Sequence, residues 1–342
     1  MIIRPIQKSK IEFVDFDNLS FGTIFSDHMF VCDYADGAWS EPEIIPYAPI
    51  QLDPSASALH YGQAIFEGMK AYKDDHGDVW LFRPDQNIKR LNKSAERLAI
   101  PQFPEDLFLK GLHKLIDLDR DWVQPGVRNS LYIRPFMFAS EACVQASPAK
   151  EYRIMIICAP VSSYYNSGEV RVKIADHFSR APQGGTGYAK AAGNYAGQFY
   201  PTQLAIDEGY QQIIWTDAAT HQYIEEAGTM NLFFYIGDKL ITAPISDSIL
   251  DGVTRKSVLE LAKYLGIQVE TRQLSVSELV EASKNNTLKE IFGSGTAVVV
   301  LPIHGFGYKG EEFQLPKSKG SLALKLKSNL TSIQYNHTDD PY

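Results

Sequence analysis

Hydrophobic residues recur at helical spacing in two stretches of the first half of the chain. In QNIKRLNKSAERLAI, Ile88, Leu91, Ala95 and Leu98 fall three or four residues apart, which predicts an amphipathic helix. EDLFLKGLHKLIDLDRDWV predicts a second helix running to Val123. SLYIRPFMFAS changes the period to two and predicts a strand with Tyr132, Arg134 and Phe136 on one face. EYRIMIICAPV is a short, nearly continuous apolar run, the pattern of a buried strand. VSSYYNSGEV breaks the pattern with Ser, Asn and Gly and reads as a linker. Beyond it VRVKIAD, QQIIWTD, NLFFYIGDKLITA and EIFGSGTAVVVLP predict strands, with Gly237-Asp238 as a hairpin turn. TRKSVLELAKYLGI returns to helical spacing through Val258, Leu261, Ala262 and Leu265 and stops at Gly266. SLALKLKSNLTSIQYN predicts a C-terminal helix. The first half reads as mixed α/β; in the second, strands outnumber helices, which predicts a barrel-like or sandwich sheet with flanking helices.

A chain of 342 residues suggests two domains, here 1–161 and 172–342, joined by a linker at 162–171. With 44% hydrophobic and 22% charged residues the composition is that of an ordinary soluble globular protein. The net charge of -8 argues against nucleic acid as a main partner, because phosphate backbones need clustered Lys and Arg. A small anionic cofactor needs only one local positive site and stays open. Cys32, Cys143 and Cys158 are far apart and form no CxxC, which excludes a thioredoxin-like motif or zinc ribbon and fits a reducing cytosol. The start, MIIRPIQKSKIEFVDF, has no apolar core followed by a cleavage site, and no apolar run reaches about 18 residues, so neither a signal peptide nor a membrane helix is expected. The histidines, among them His28, His60, His177 and His304, show no ligand spacing, so no metal site is expected.

Five stretches carry candidate chemistry, each with a bland alternative. GYAKAAGNY sets Lys190 among small residues, where a flat ligand could approach a nucleophilic amine; a lysine in a polar loop is the alternative. YIEEAGTMNLFF puts Glu225 and Glu226 ahead of an apolar strand. Alternation would turn one of them inward, where a carboxylate needs a charged or protonated partner, such as a protonated pyridine nitrogen; a solvated strand edge is the alternative. In LDGVTRKSVLE a helix starts at Asp251 or Gly252, and its first amides are either a phosphate seat or a simple cap. FGSGTAVVV offers backbone N–H groups to an anion or only turns the chain. Arg83 in LFRP and Arg134 in YIRP are either anion holders or structural ion-pair partners.

Taken in order, FGTIFSDHM, HYGQAIFEGMKAY, LFRP, LYIRP, GYAKAAGNY, EEAGTMN, LDGVTRKS and FGSGTA resemble one family through most of the chain: the branched-chain amino acid aminotransferases, pyridoxal 5′-phosphate (PLP) enzymes of fold type IV. The resemblance implies an α/β (α+β) fold of two domains, a smaller N-terminal α/β domain and a larger C-terminal pseudo-barrel domain that binds the cofactor. It implies that Lys190 carries PLP as a Schiff base and is the catalytic base and acid. Arg83, Arg180, Tyr195, Glu226, Thr229, Leu250, Gly252, Val253, Thr254, Ser294 and Thr296 would hold the cofactor, with Glu226 on the pyridinium nitrogen, Tyr195 on the phenolic oxygen and Arg83 on the phosphate. Phe21, Tyr61, Phe66, Tyr132, Tyr164, Thr229 and Ala297 would line the side-chain pocket. The Thr296 and Ala297 amides, with Tyr61, would take the α-carboxylate, and Arg134 would orient Tyr61 and help accept glutamate's second carboxylate. Val144 and Ala146 match a loop that reaches a partner's site, which implies a homodimer. The implied reaction moves the amino group between L-leucine, L-isoleucine or L-valine and 2-oxoglutarate, with small amino acids and 2-oxo acids as partners, in the cytoplasm. Where mammalian members carry a redox-active CxxC, this chain reads GTAVVVLP, with Val298 and Leu301 at those places, so no thiol switch is expected. A D-amino acid aminotransferase, a 4-amino-4-deoxychorismate lyase or a non-catalytic relative would share parts of the pattern; EGMKAY and YIRP favour the branched-chain reading.

Overall fold

The computed structural model describes residues 1–162, 168–316 and 320–341, so Tyr164 and part of the expected linker lie outside the described residues. The chain forms two compact units. The first comprises Met1–Tyr164, Ala189–Gly193 and Gln334–Thr338; the second comprises Tyr165–Tyr188, Asn194–Ile333 and Asp339–Tyr342. No helix among the described residues is long and apolar enough to cross a membrane.

The first unit is built on a nine-stranded sheet. Its centre runs from His28–Ala35 through Tyr152–Val161 and Ser130–Ala139 to Met69–Lys73, all antiparallel, and Ala64–Phe66 pairs alongside Ser130–Ala139. Alternation along Ser130–Ala139 sorts its side chains. Leu131, Ile133, Met137 and Ala139 enter the core, which leaves Tyr132, Arg134 and Phe136 on the other face, as the period of two requires. The helix Pro84–Arg97 supplies Ile88, Leu91 and Ala95 to that core, and the helix Glu105–Leu118 supplies Phe108, Leu112 and Leu115. Each of these leucine, isoleucine and phenylalanine side chains is worth about 1.5–3 kcal/mol when fully buried.

The second helix ends five residues before the expected Val123. The reason is Asp119. Its buried carboxylate accepts the His28 amide at 3.0 Å and contacts His28 Nδ1 at 2.6 Å. A single 3-10 turn, Arg120–Trp122, then lets the Trp122 indole donate to Asp27 at 2.9 Å. These ties to distant residues outweigh the continuing helical pattern.

The second unit holds a ten-stranded sheet of mixed direction. Met230–Ile236 is its hub. It pairs with Ile224–Ala227 through its first residues, with Lys239–Thr242 through its last, and with Leu288–Gly295 along most of its length. The hairpin at Gly237-Asp238 forms as expected, with Ile236 opposite Lys239 and Gly237 at φ 63°. Val253–Tyr264 crosses over between Lys239–Thr242 and the parallel strand Gln268–Thr271, and Gly266 at φ 73° terminates it. Two helices of this unit carried no expectation, Phe199–Asp207 and Val276–Lys284.

Candidate active site

Lys190 sits on the short piece Ala189–Gly193 of the first unit, gripped along its main chain from two sides. Its carbonyl accepts the Phe66 amide at 3.0 Å and Ala191 bridges Ile65, so the piece lies along the strand Ala64–Phe66. Its own N–H donates to Ser94 Oγ at 2.9 Å. Ala189 and Ala191 on either side of the lysine are buried, Ala192 is half-buried and Gly193 is exposed, so the chain is packed immediately beside the lysine. Its Nζ stands 4.7 Å from the centroid of the Phe66 ring.

That ring also carries the Arg134 guanidinium, at 4.6 Å from its centroid. Arg134 in turn donates to the Tyr132 hydroxyl at 2.9 Å, and the Phe21 ring meets Tyr132 edge-on at 5.0 Å. Phe21, Tyr132, Arg134, Phe66 and Lys190 therefore form one run of contacts, the arrangement expected of an apolar pocket wall with cations over aromatic faces. Arg134 Nε is buried and has no hydrogen-bond partner, a donor held ready for an acceptor. The hydrogen bond of Arg134 goes to Tyr132 on its own strand, where the sequence resemblance implied Tyr61. Gly68 is what lets Tyr132 lie flat, since a Cβ there would meet Tyr132 Oη at 2.3 Å. Gly68→Ala should displace that hydroxyl and raise KM for amino acids by about tenfold with cofactor binding little changed, measured by steady-state kinetics.

Arg83 caps the helix Pro84–Arg97 in a left-handed conformation, φ 52°, with its guanidinium over the Phe82 ring. Tyr61 is an exposed residue at the end of the helix Ser57–Tyr61. Val144 and Ala146 are exposed and stand outside the run.

In the second unit a row of polar side chains crosses three strands. Glu226 pairs with Asn231, and Asn231 with Ser294, so the three project from one face of the sheet. Of the two acids considered, Glu226 is the inward one, at 4% exposure. One oxygen accepts the Leu250 amide at 2.9 Å, and the other lies 3.1 Å from Arg180 Nε. Arg180 is pinned by the carbonyls of Gly187 and Ser248. Its Nε contact with Glu226 is an ion pair without hydrogen-bond alignment, so that N–H has no acceptor. Asn231 Nδ2 donates to the Leu250 carbonyl at 2.9 Å. Ser294 Oγ is buried and without a partner. Glu225 faces away and bonds the Ser248 hydroxyl; burial pushes its carboxyl up, only partly offset by that bond and by Arg180.

Gly252 precedes the helix Val253–Tyr264, which has no side-chain cap, so its first amides point out of the helix end. A Cβ at Gly252 would lie 2.1 Å from Asn231 Oδ1. Gly252→Ala should push Asn231 off Leu250 and cost about 1–3 kcal/mol, read as a lower thermal midpoint. Thr296 and Ala297 are half-buried in the turn between Leu288–Gly295 and Val299–Ile303, and Val299 is held at φ 60°. A β-branched residue there is an outlier of the kind that clusters at functional sites. Thr229 is exposed, and Tyr195 and Leu250 are half-buried.

Sequence reasoning passed over three contributors. Asn231 and Ser248 become visible only through strand register and through the bonds of Arg180 and Glu225. Glu67, fully buried beside the Lys190 piece, was legible only as an acid between an aromatic and a glycine.

Residues 64–306 match the family model of the class IV aminotransferases. The chain is 44% identical over 332 residues to branched-chain-amino-acid aminotransferase 2 of Bacillus subtilis, covering 96% of this chain and 92% of that protein. It is 45% identical over 333 residues to branched-chain-amino-acid transaminase 1 of the same organism, covering 96% and 94%. Among solved structures it is similar to the branched-chain amino acid aminotransferase of Escherichia coli, with a TM-score of 0.73 and 25% identity over 92% of this chain and 97% of that one.

Proposed function

The chain belongs to the class IV aminotransferase family, and on that premise we propose that it moves the amino group between L-leucine, L-isoleucine or L-valine and 2-oxoglutarate, using PLP attached to Lys190. The observation that carries this reading is Glu226. A carboxylate this deeply buried is costly unless compensated, and Arg180 compensates it on a sheet row that also carries the unpartnered Ser294 hydroxyl, two strands away. An acid so placed, beside unsatisfied polar atoms and a glycine with no room for a side chain, fits a flat protonated ring and its phosphate.

Bound there, PLP supplies an aldehyde for the amino group and a protonated ring that spreads the charge left when a substrate Cα loses its proton. The protein supplies the rest. Lys190 would anchor the cofactor and, once released, would take the proton from the substrate Cα and deliver it to the cofactor's C4′ carbon, base and then acid. Glu226 keeps the ring nitrogen protonated, and Tyr195 donates to the phenolic oxygen. Arg83, Thr296 and the amides of Val253 and Thr254 bind the phosphate, the last two as the start of a helix. Arg180, Leu250 and Gly252 shape the place for the ring and its phosphate. Phe21, Phe66, Tyr132, Tyr164 and Thr229 exclude water from the aliphatic side chain. Tyr61 and the amides of Thr296 and Ala297 take the α-carboxylate; Arg134 takes the second carboxylate of glutamate. One methylene changes binding in such a pocket by only about 1–3 kcal/mol, so all three branched amino acids should react. The same reading takes 1–161 and 172–342 as the two domains, Val144 and Ala146 as the loop that reaches the partner in a cytoplasmic homodimer, and substrates that are small molecules.

The test is the cofactor spectrum of the purified protein after adding L-leucine, D-alanine or aminodeoxychorismate in parallel. L-Leucine should shift the cofactor spectrum and release a 2-oxo acid, and 2-oxoglutarate should then restore the starting spectrum. Conversion by D-alanine or aminodeoxychorismate alone would reject the branched-chain reading.

A further inference from the structure

Glu67 has no exposed surface, yet both of its carboxyl oxygens are engaged by donors. Arg90 Nε and Nη2 donate to its two oxygens at 2.7 and 2.8 Å, and Asn87 Nδ2 donates at 2.8 Å. The Gly68 amide adds a fourth bond at 3.2 Å. Burial pushes its carboxyl up, but Arg90, then Lys190 and Asn87, more than offset this and hold it below the usual range. The polar stripe that binds it continues along the same helix. Asn87, Arg90 and Ser94 lie three and four residues apart, beside the apolar stripe of Ile88, Leu91 and Ala95. Ser94 Oγ donates to the Arg90 carbonyl at 3.0 Å and accepts the Lys190 amide at 2.9 Å. On the opposite side of the lysine, Phe66, adjacent to Glu67, donates its amide to the Lys190 carbonyl.

We infer that Glu67 is a positioning residue for Lys190: by tying the helix Pro84–Arg97 to the end of the strand Ala64–Phe66, it braces the two main-chain bonds that grip the lysine from either side. An internal ion pair that served packing alone would not need its helix to end the polar stripe on the amide of the reactive residue. The grip sets where the lysine side chain starts, and a misplacement of about 1 Å at a reacting group is enough to cost about a hundredfold in rate. This inference rests on Lys190 being the reactive amine.

Hydrogen exchange at the Lys190 amide and the rate of PLP uptake, both measured on cofactor-free protein, test it. Glu67→Gln should speed exchange at that amide about tenfold and slow uptake by a similar factor. Ser94→Ala, which removes the acceptor of that amide and the Ser94 bond to the Arg90 carbonyl but leaves the bonds to Glu67 in place, should do the same to both. Glu67→Gln combined with Arg90→Met no longer strands a buried cation, so its thermal midpoint should recover while both rates stay altered. If exchange and uptake return to normal with the midpoint, or if Ser94→Ala leaves both unchanged, Glu67 is only a structural partner of Arg90 and the inference fails. The exchange measurement needs no cofactor, so it stands apart from the aminotransferase reading, which falls instead if a Lys190→Ala protein still binds PLP covalently.

Discussion

A Lys190→Ala protein should purify without covalently attached PLP and show no transamination above background. The physical reason is that no other group of the chain is assigned both tasks, anchoring the cofactor and carrying the proton between carbon atoms, and loss of a general acid–base group alone costs about 10²–10⁴-fold. The variant should still fold. The bonds that hold position 190 are made by its main chain, to Phe66 and to Ser94 Oγ, and alanine keeps both. Among what is lost are the contact of Nζ with the Phe66 ring, worth about 0.5–1 kcal/mol, and its attraction to Glu67, which Arg90 still compensates. Intact mass after borohydride reduction, with leucine turnover in the same preparation, checks this. A reduced cofactor adduct in the variant, or retained turnover, would place the chemistry elsewhere.

Glu226→Gln should bind PLP nearly as the parent does and lose about 10²–10³-fold in kcat, because a neutral amide cannot hold the ring nitrogen's proton. The amide oxygen can still accept the Leu250 N–H, so the local backbone has a reason to stay in place. The charge balance does not. Arg180, its side chain nearly devoid of exposed surface, loses its ion pair with Glu226 and keeps the nearby Glu225 and the carbonyls of Gly187 and Ser248, so breaking this buried pair costs up to about 3–5 kcal/mol. The thermal midpoint should therefore fall while PLP titration remains close to normal, and single-turnover rates on the folded fraction separate the two effects. A variant with the parent's single-turnover rate would remove Glu226 from its assigned role.

Much of the fold was legible because it rests on short-range patterns. The helix Pro84–Arg97 and the helix Val253–Tyr264 show one apolar stripe each, and Ser130–Ala139 alternates cleanly. Phe199–Asp207 escaped because it has no single apolar stripe: Phe199 and Tyr200 are largely exposed while Pro201 and Ala205 are buried. Val276–Lys284 was readable after all, since Ser275 accepts the Glu278 amide at 3.0 Å and the spacing Ser-x-x-Glu signals such a start. Asp119 shows the opposite failure, a helical pattern cut short by a buried partner far away in the chain.

The sequence by itself determined that the chain is a mixed α/β protein with a lysine among small residues, a pair of acids before an apolar strand, and a helix opening at Asp251 or Gly252. Its ordered motifs also pointed to the aminotransferase family, because residue types at fixed spacing encode both local conformation and chemical capacity. Only the tertiary structure decided which partners those residues meet. It set Arg180 against Glu226, aligned Asn231 and Ser294 with that acid through strand register, and braced Lys190 with Ser94, Arg90 and Glu67. Such pairings join residues distant along the chain. Their strength depends on burial and angstrom-scale distances, and neither is a property of any local stretch of sequence.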